Sequence, residues 1–182
     1  KGVPERKAQE PNDRMTVVEQ QTERLLEQVR YGHIDTAIIA LPYPVDGLHT
    51  FEFWQEDFFA VFPSDDSLAD LKTISSDQLS TANLMLLGDG HCVADQAVSV
   101  GSFDRAAFQS HFSDASLNTL IQMALAGMGT TLIPEMALQQ VRRQNNDVAT
   151  IPLTEKGPHR RIAFVTRLNY TRVDDVNLLA TI

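Results

Sequence analysis

The chain has 182 residues, 43% of them hydrophobic, enough to bury one core or two small ones without covalent staples. Its formal charge of -9 at pH 7 excludes an unaided grip on nucleic acid, because that affinity comes from Lys and Arg neutralising phosphates. A single cysteine excludes an internal disulfide and thiolate zinc cages, and no apolar run approaches the roughly 20 residues that span a bilayer, so a membrane partner is not expected.

In chain order, Met15 to Glu19 is a short β-branched run that predicts a strand. Thr22 then opens a helix in which Leu25, Leu26 and Val29 recur at spacings of three and four before Gly32 stops it. Asp35 to Leu41 is nearly continuously apolar, as in a strand covered on both faces, and Pro42 and Pro44 end it. Phe51 to Phe62 reads as one or two strands, and Ser75, Ser76 and Asp77 cap a polar helix. Asn83 to Leu87 is a buried strand, Gly88 to Gly90 a turn, and His91 to Val98 a short helix. Ser116 caps a longer helix through Leu117, Leu120, Ile121 and Leu125 to Gly127. Thr130 to Ile133 is a strand ended by Pro134, Met136 to Arg143 a helix, and Asp147 to Leu153 a strand. Arg161 to Thr166 is a late apolar strand before a final helix. Roughly seven strands and six helices alternate, which predicts an α/β fold with mainly parallel strands.

Reactive chemistry gathers at one strand-to-helix junction, Leu86 to Ala97. Ligands collect at the carboxyl ends of strands in α/β sheets, and helix N-termini offer free N–H groups and positive potential. Cys92 falls at such an end beside His91, where a thiolate would be stabilised, and thiolate character lets cysteine attack a peroxide. On residues alone, an inert core cysteine is the commoner outcome. Peroxide cleavage also needs donors for its oxygens and a proton for the leaving hydroxide, and Thr22 and His91 are of those types. Thr22 equally suits a helix N-cap, Asp95 a carboxylate favoured in a first helical turn, and His111 a surface position. His33, His49 and His159 have no metal-ligand spacing, and Arg160, Arg161 and Arg167 read as solvated flanks of a buried strand.

The segment Asp89-Gly-His-Cys-x-x-Asp-Gln-Ala97 resembles the sensing motif of the OxyR proteins, which are LysR-type transcription regulators. Four further stretches support the resemblance: Glu19 to Leu26, Gly32 to Ile39, His111 to Leu117 and Gly127 to Pro134. It implies two Rossmann-like subdomains of the periplasmic-binding-protein type joined by two crossover strands. Subdomain I would hold residues 1–53 and 154–182, and subdomain II, residues 54–153, the reactive cysteine. It further implies that Cys92 reacts with hydrogen peroxide, that His91, Thr22 and Asp95 form its polar pocket, and that His111 lies on the segment rearranged by oxidation. The implied protein is a cytoplasmic activator rather than an enzyme. It has no cofactor or metal, assembles as a homo-oligomer, and touches DNA only through an N-terminal domain expected before Lys1.

Three departures from the family pattern qualify those expectations. The resolving cysteine that follows the reactive one by nine residues is Gly101 here, so the chain stops at the sulfenic acid, pairs with a small thiol or another protomer, or is a variant built to prevent the switch. The first strand of the regulatory domain would precede Lys1. Arg6, Glu10 and Asp13 put charge where the family's first helix is apolar and contributes to the dimer. Two rivals share the fold or the thiol: an effector domain binding a small organic molecule between subdomains, and a thiol peroxidase that turns over.

Overall fold

A computed structural model of the chain describes residues 16–87, 111–112, 115–173 and 176. The chain divides into two compact units, Lys1–Trp54 with Arg161–Ile182, and Gln55–Arg160, and so passes from one to the other twice. Among the described residues it forms strands β1 (Thr36–Leu41), β2 (Leu48–Glu56), β3 (Phe58–Pro63), β4 (Leu86–Leu87), β5 (His111–Phe112), β6 (Thr131–Pro134), β7 (Val148–Pro152) and β8 (Arg160–Arg167). The helices are α1 (Thr22–Tyr31), α2 (Ser76–Thr81), α3 (Leu117–Leu125) and α4 (Leu138–Gln144), the last preceded by a 3-10 turn over Glu135–Ala137.

The first unit is a sheet in the order β1-β8-β2 with α1 packed on one face. The three- and four-residue spacing read from the sequence places Leu26 and Val29 on the buried side of α1, against Ala37, Ile39 and Leu41 of β1 and Ala163 and Val165 of β8. Gly32 ends the helix in the left-handed conformation at φ 74°, where its N–H bonds back to Gln28 and Val29. Arg167 adds a second cap, its Nη1 donating to the carbonyls of Val29 at 3.2 Å and Ile34 at 3.0 Å. On the other side of the sheet Phe53 stacks on Phe164 at 4.4 Å between ring centroids. Ile38 of β1 is 56% exposed.

Strand β3 is the centre of the second unit, antiparallel to β6 on one side and to β7 on the other. Parallel bridges extend this sheet from Thr130 to Leu84 at one edge and from Leu153 to Ile74 at the other. Alternating side chains serve opposite faces. Phe58, Ala60 and Phe62 of β3, Leu132 of β6 and Leu86 of β4 join one core with Leu79 of α2. Val61, Ile133, Met85 and Leu87 join the other with Leu120, Ile121 and Ala124 of α3 and Val141 of α4. The sheet is thus covered by helices on both faces.

Several local expectations are met: Ser75 forms a capping box with Gln78, Ser116 accepts the Thr119 N–H, and Phe51 to Phe62 resolves into two strands. Others are corrected. Thr16 to Gln20 forms no strand, and Val17 and Val18 are exposed, because β-branched residues make a strand only where a neighbouring strand and a core receive them. The ladders β1–β8, β3–β6 and β3–β7 are antiparallel, and β4–β5 is parallel. Helical crossover does make β6 and β7 parallel to each other, as alternation predicts, but β3 inserts antiparallel between them. The helix predicted over His91 to Val98 lies outside the described residues, as does almost all of the final helix.

Candidate functional site

The strand that leads into the cysteine segment is only two residues long, so what holds it matters more than its own propensity. Met85, just before β4, gives its N–H to the Thr130 carbonyl at 2.8 Å and receives the Thr131 hydroxyl on its own carbonyl at 2.9 Å. Asn83 adds a bond from its amide to the Met128 carbonyl at 2.7 Å, and its own carbonyl accepts the Thr130 N–H. Gly129 is required beside it: φ is 147°, and a Cβ there would fall 2.3 Å from the Asn83 carbonyl oxygen. From Leu87 the chain enters residues 88–110, which include His91, Cys92, Asp95 and Gly101 and lie outside the described residues. It returns at β5, where His111 pairs with Leu86 and Phe112 with Leu87 in parallel register. The two strands that flank the Cys92 segment therefore run side by side in the same direction, the chain leaving β4 at its carboxyl end and entering β5 at its amino end, with the Ser116-capped α3 next in the chain.

Thr22 belongs to the first unit and is the first residue of α1, buried at 8% exposure. The N-cap is Gln21, with no side-chain cap bond, so the N-cap reading of Thr22 is corrected by one position. A threonine at the first helical turn retains a hydroxyl in the positive potential of the helix start. Of the five site residues expected from the sequence, the described structure thus gives Thr22 and the backbone of His111, each within its own unit.

Sequence reasoning missed a buried ionic cluster in the second unit. Glu56, 2% exposed, accepts the Met136 N–H on Oε2 at 2.9 Å and faces Arg160 Nε across 3.5 Å on Oε1. His159 is buried beside it; its Nδ1 accepts the Phe58 N–H at 3.1 Å and its Nε2 lies 2.9 Å from the Glu155 carbonyl, which fixes the Nε2-protonated tautomer. Asp57 lies 3.6 Å from the same Nδ1. Burial works to raise the Glu155 pKa, but hydrogen bonds from the Ser76 backbone and hydroxyl and its own backbone, with the neighbouring His159, outweigh it and leave the carboxyl below its ordinary value. Arg160 and Arg167 are accordingly not solvated flanks, whereas Arg161 is, paired with Glu52 at 3.0 Å on the surface. Only the charge of Glu56 at the end of an aromatic strand hinted at this cluster. Among the described residues no group of three or more His, Cys, Asp or Glu is placed to hold a metal ion, and no helix is long and apolar enough to cross a membrane.

Residues 3–180 match the family described as the LysR substrate binding domain. The chain is 34% identical, over 98% of its length and 57% of the relative's, to a probable hydrogen peroxide-inducible genes activator of Mycobacterium avium. It is 30% identical, over 86% of its length and 52% of the relative's, to the HTH-type transcriptional regulator EstR of Acinetobacter baylyi. A solved mutant of Corynebacterium glutamicum OxyR with hydrogen peroxide bound superposes at a TM-score of 0.87 with 30% identity, covering 99% of this chain and 57% of that one. The chain spans about half the length of the curated relatives it matches.

Proposed function

This chain belongs to the LysR substrate-binding-domain family, and from that premise we propose that it is the hydrogen peroxide-sensing regulatory domain of an OxyR-type transcription activator, sensing through Cys92. Its fold is the family's α/β, periplasmic-binding-protein-like pair of subdomains. In this reading the unit Gln55–Arg160 is the subdomain that carries Cys92, and the unit built on β1, β8 and β2 is its companion. The observation that carries the reading is the Asp89–Ala97 sequence, with the chain's one cysteine next to a histidine, in a chain similar to peroxide-inducible activators.

The chemistry is a single displacement. The Cys92 thiolate attacks one oxygen of hydrogen peroxide, the O–O bond breaks, and the departing hydroxide takes a proton to leave as water, with Cys92 as the sulfenic acid. His91 supplies that proton, and the Thr22 hydroxyl and Asp95 complete the polar surroundings. His111, held level with Leu86, lies on the return of the segment that rearranges. With Gly101 at the place of a resolving cysteine, the oxidised state is the sulfenic acid itself or its mixed disulfide with an external thiol. The domain acts stoichiometrically as a sensor rather than as an enzyme, in the cytoplasm. It works as a homo-oligomer, and it reaches DNA through a part of the protein outside this sequence.

Intact mass after a brief, near-stoichiometric dose of hydrogen peroxide, with a sulfenic-acid trap and Cys92→Ser as control, tests this. Rapid trapping that the control loses is the expected result. Modification no faster than that of a free thiol overturns the reading and turns attention to an organic effector, and peroxide consumption that continues while thiol is supplied makes the protein a peroxidase.

A further inference from the structure

We infer that His159 couples the starts of two helices on opposite faces of the second unit, α2 and α4, and so makes one cooperative block of the segments where the chain enters and leaves that unit. The role is independent of the chemistry at Cys92. The chain enters the unit at Gln55 and leaves it at Arg160, and a hydrogen-bonded path runs from one helix to the other through the residues next to those two points. Met136, in the 3-10 turn before α4, donates its N–H to Oε2 of Glu56 at 2.9 Å, and Glu135 beside it donates to the Asp57 carbonyl at 3.0 Å. The Glu56 carbonyl accepts the His159 N–H at 3.1 Å, and the His159 ring takes the Phe58 N–H on Nδ1 at 3.1 Å. With Nδ1 an acceptor, Nε2 carries the proton and donates to the Glu155 carbonyl at 2.9 Å. The Glu155 carboxylate then accepts the N–H of Ser76, the first residue of α2, at 2.8 Å. Since α2 buries Leu79 in one core and α4 buries Val141 in the other, the path crosses from one face of the sheet to the other.

Burial makes the path stiff. Glu56 is 2% exposed and His159 6%, so a polar atom that loses its partner there has little water to turn to. Glu56 also faces Arg160 Nε across 3.5 Å, and a charge at that depth is costly to strip of its partner. Gly157 closes the turn between Glu155 and His159 against Asp57, whose carboxylate a Cβ at 157 would strike. His159 is bonded on both sides, to Glu56 and Phe58 where the chain enters and to Glu155 where it leaves. A displacement of the entering or leaving chain is thereby delivered to both helices together rather than to one at a time. Main-chain bonds of Ile74 with Pro152 and Thr154 offer a second route from α2 to the sheet that bypasses the ring, so the decisive substitution is one that removes the ring nitrogens.

The test is amide hydrogen exchange, followed by NMR on the full chain, at Ser76 and Met136, whose N–H groups are the two ends of the path. Glu155→Ala frees the Ser76 N–H directly. Exchange at Met136, on the other face, should rise with it by about threefold to thirtyfold, the ordinary range for coupling between connected residues, while amides within the β3–β6 and β3–β7 ladders stay at the parent rate. His159→Phe keeps a ring and removes both nitrogens. In that background, Glu155→Ala should leave Met136 exchange where His159→Phe alone puts it. Three results overturn the assignment: Met136 unchanged in a folded Glu155→Ala, a rise shared equally by the ladders, or a rise at Met136 that survives His159→Phe. If His159→Phe does not fold, His159→Asn takes its place under the same criteria, since it retains an acceptor for Phe58 and loses the donor to Glu155.

Discussion

Strands β1 and β8 meet along six registered pairs, from Thr36 opposite Thr166 to Leu41 opposite Arg161, whereas β4 and β5 meet at two, Leu86 opposite His111 and Leu87 opposite Phe112. The long ladder is made of main-chain bonds that any sequence of suitable shape can form, and its position is fixed by a hydrophobic face against α1. The short one is supported by main-chain bonds between Met85, Thr130 and Asn83 just before it and by the Thr131 hydroxyl on the Met85 carbonyl. Elements that must respond to a signal are drawn from the less stable part of a structure, and a strand held by a few replaceable bonds is of that type.

The largest expected effect breaks the long ladder's core. Ile39→Ala removes a side chain that is 3% exposed and packed under α1, and should cost about 2–5 kcal/mol in denaturant unfolding. In protein that remains folded, the Cys92 rate should stay close to the parent value, since Ile39 belongs to the first unit and Cys92 to the second. Thr131→Val acts in the second unit instead: the stability loss should be about 0.5–1.5 kcal/mol, the usual net contribution of one hydrogen bond, and a fall in the Cys92 rate would set this region apart from the first unit. Equal effects of both substitutions on the rate would erase the distinction between the two regions.

That contrast also marks where the sequence could be read. Helix α1 was legible because its signals are local: Leu26 and Val29 at helical spacing and Gly32 at the stop. The caps at Ser75 and Ser116 were legible for the same reason. The pairing of β3 between β6 and β7 was not, because alternating strands and helices announce a crossover but say nothing of a strand arriving from elsewhere. Glu56 with Arg160, and Thr131 with Met85, are meetings of residues distant in the chain, and no period or composition encodes them. Cys92 and its neighbours were read from a motif, which names the reacting group without placing it.

A smaller effect sharpens the comparison at the far side of the segment. Ser116 accepts the Thr119 N–H at 3.1 Å and starts α3, which packs Leu120, Ile121 and Ala124 against the core beside β4. Ser116→Ala should cost about 0.5–2 kcal/mol, the ordinary loss of a helix N-cap, measured by thermal or denaturant unfolding. Because the cap lies shortly after β5, a change in the Cys92 rate in this variant would extend the side-chain-held region from β4 into α3, and an unchanged rate would confine it to the strand.

The smallest effect concerns pH and belongs to the rigid part of the second unit. Glu155 is held below its ordinary pKa: burial opposes ionisation, but the Ser76 backbone and hydroxyl, its own backbone and His159 together favour the carboxylate more. The folded state thus binds its proton less readily than the unfolded chain. The sign follows directly: this contribution to stability is complete above the unfolded pKa of a glutamate, and it is lost as pH falls through that value and then through the lower folded one. Glu155→Gln keeps an acceptor for the Ser76 N–H and removes the charge, so it should flatten the acid side of the stability profile while leaving neutral-pH stability only slightly reduced. Unfolding free energies of parent and Glu155→Gln measured from neutral to acid pH check this, and parallel curves would show that the carboxylate is not linked to folding. Since Ser76 begins α2 and Glu155 follows β7, both remote in the sheet order from β4, the Cys92 rate should not respond to this substitution at any pH where the protein is folded.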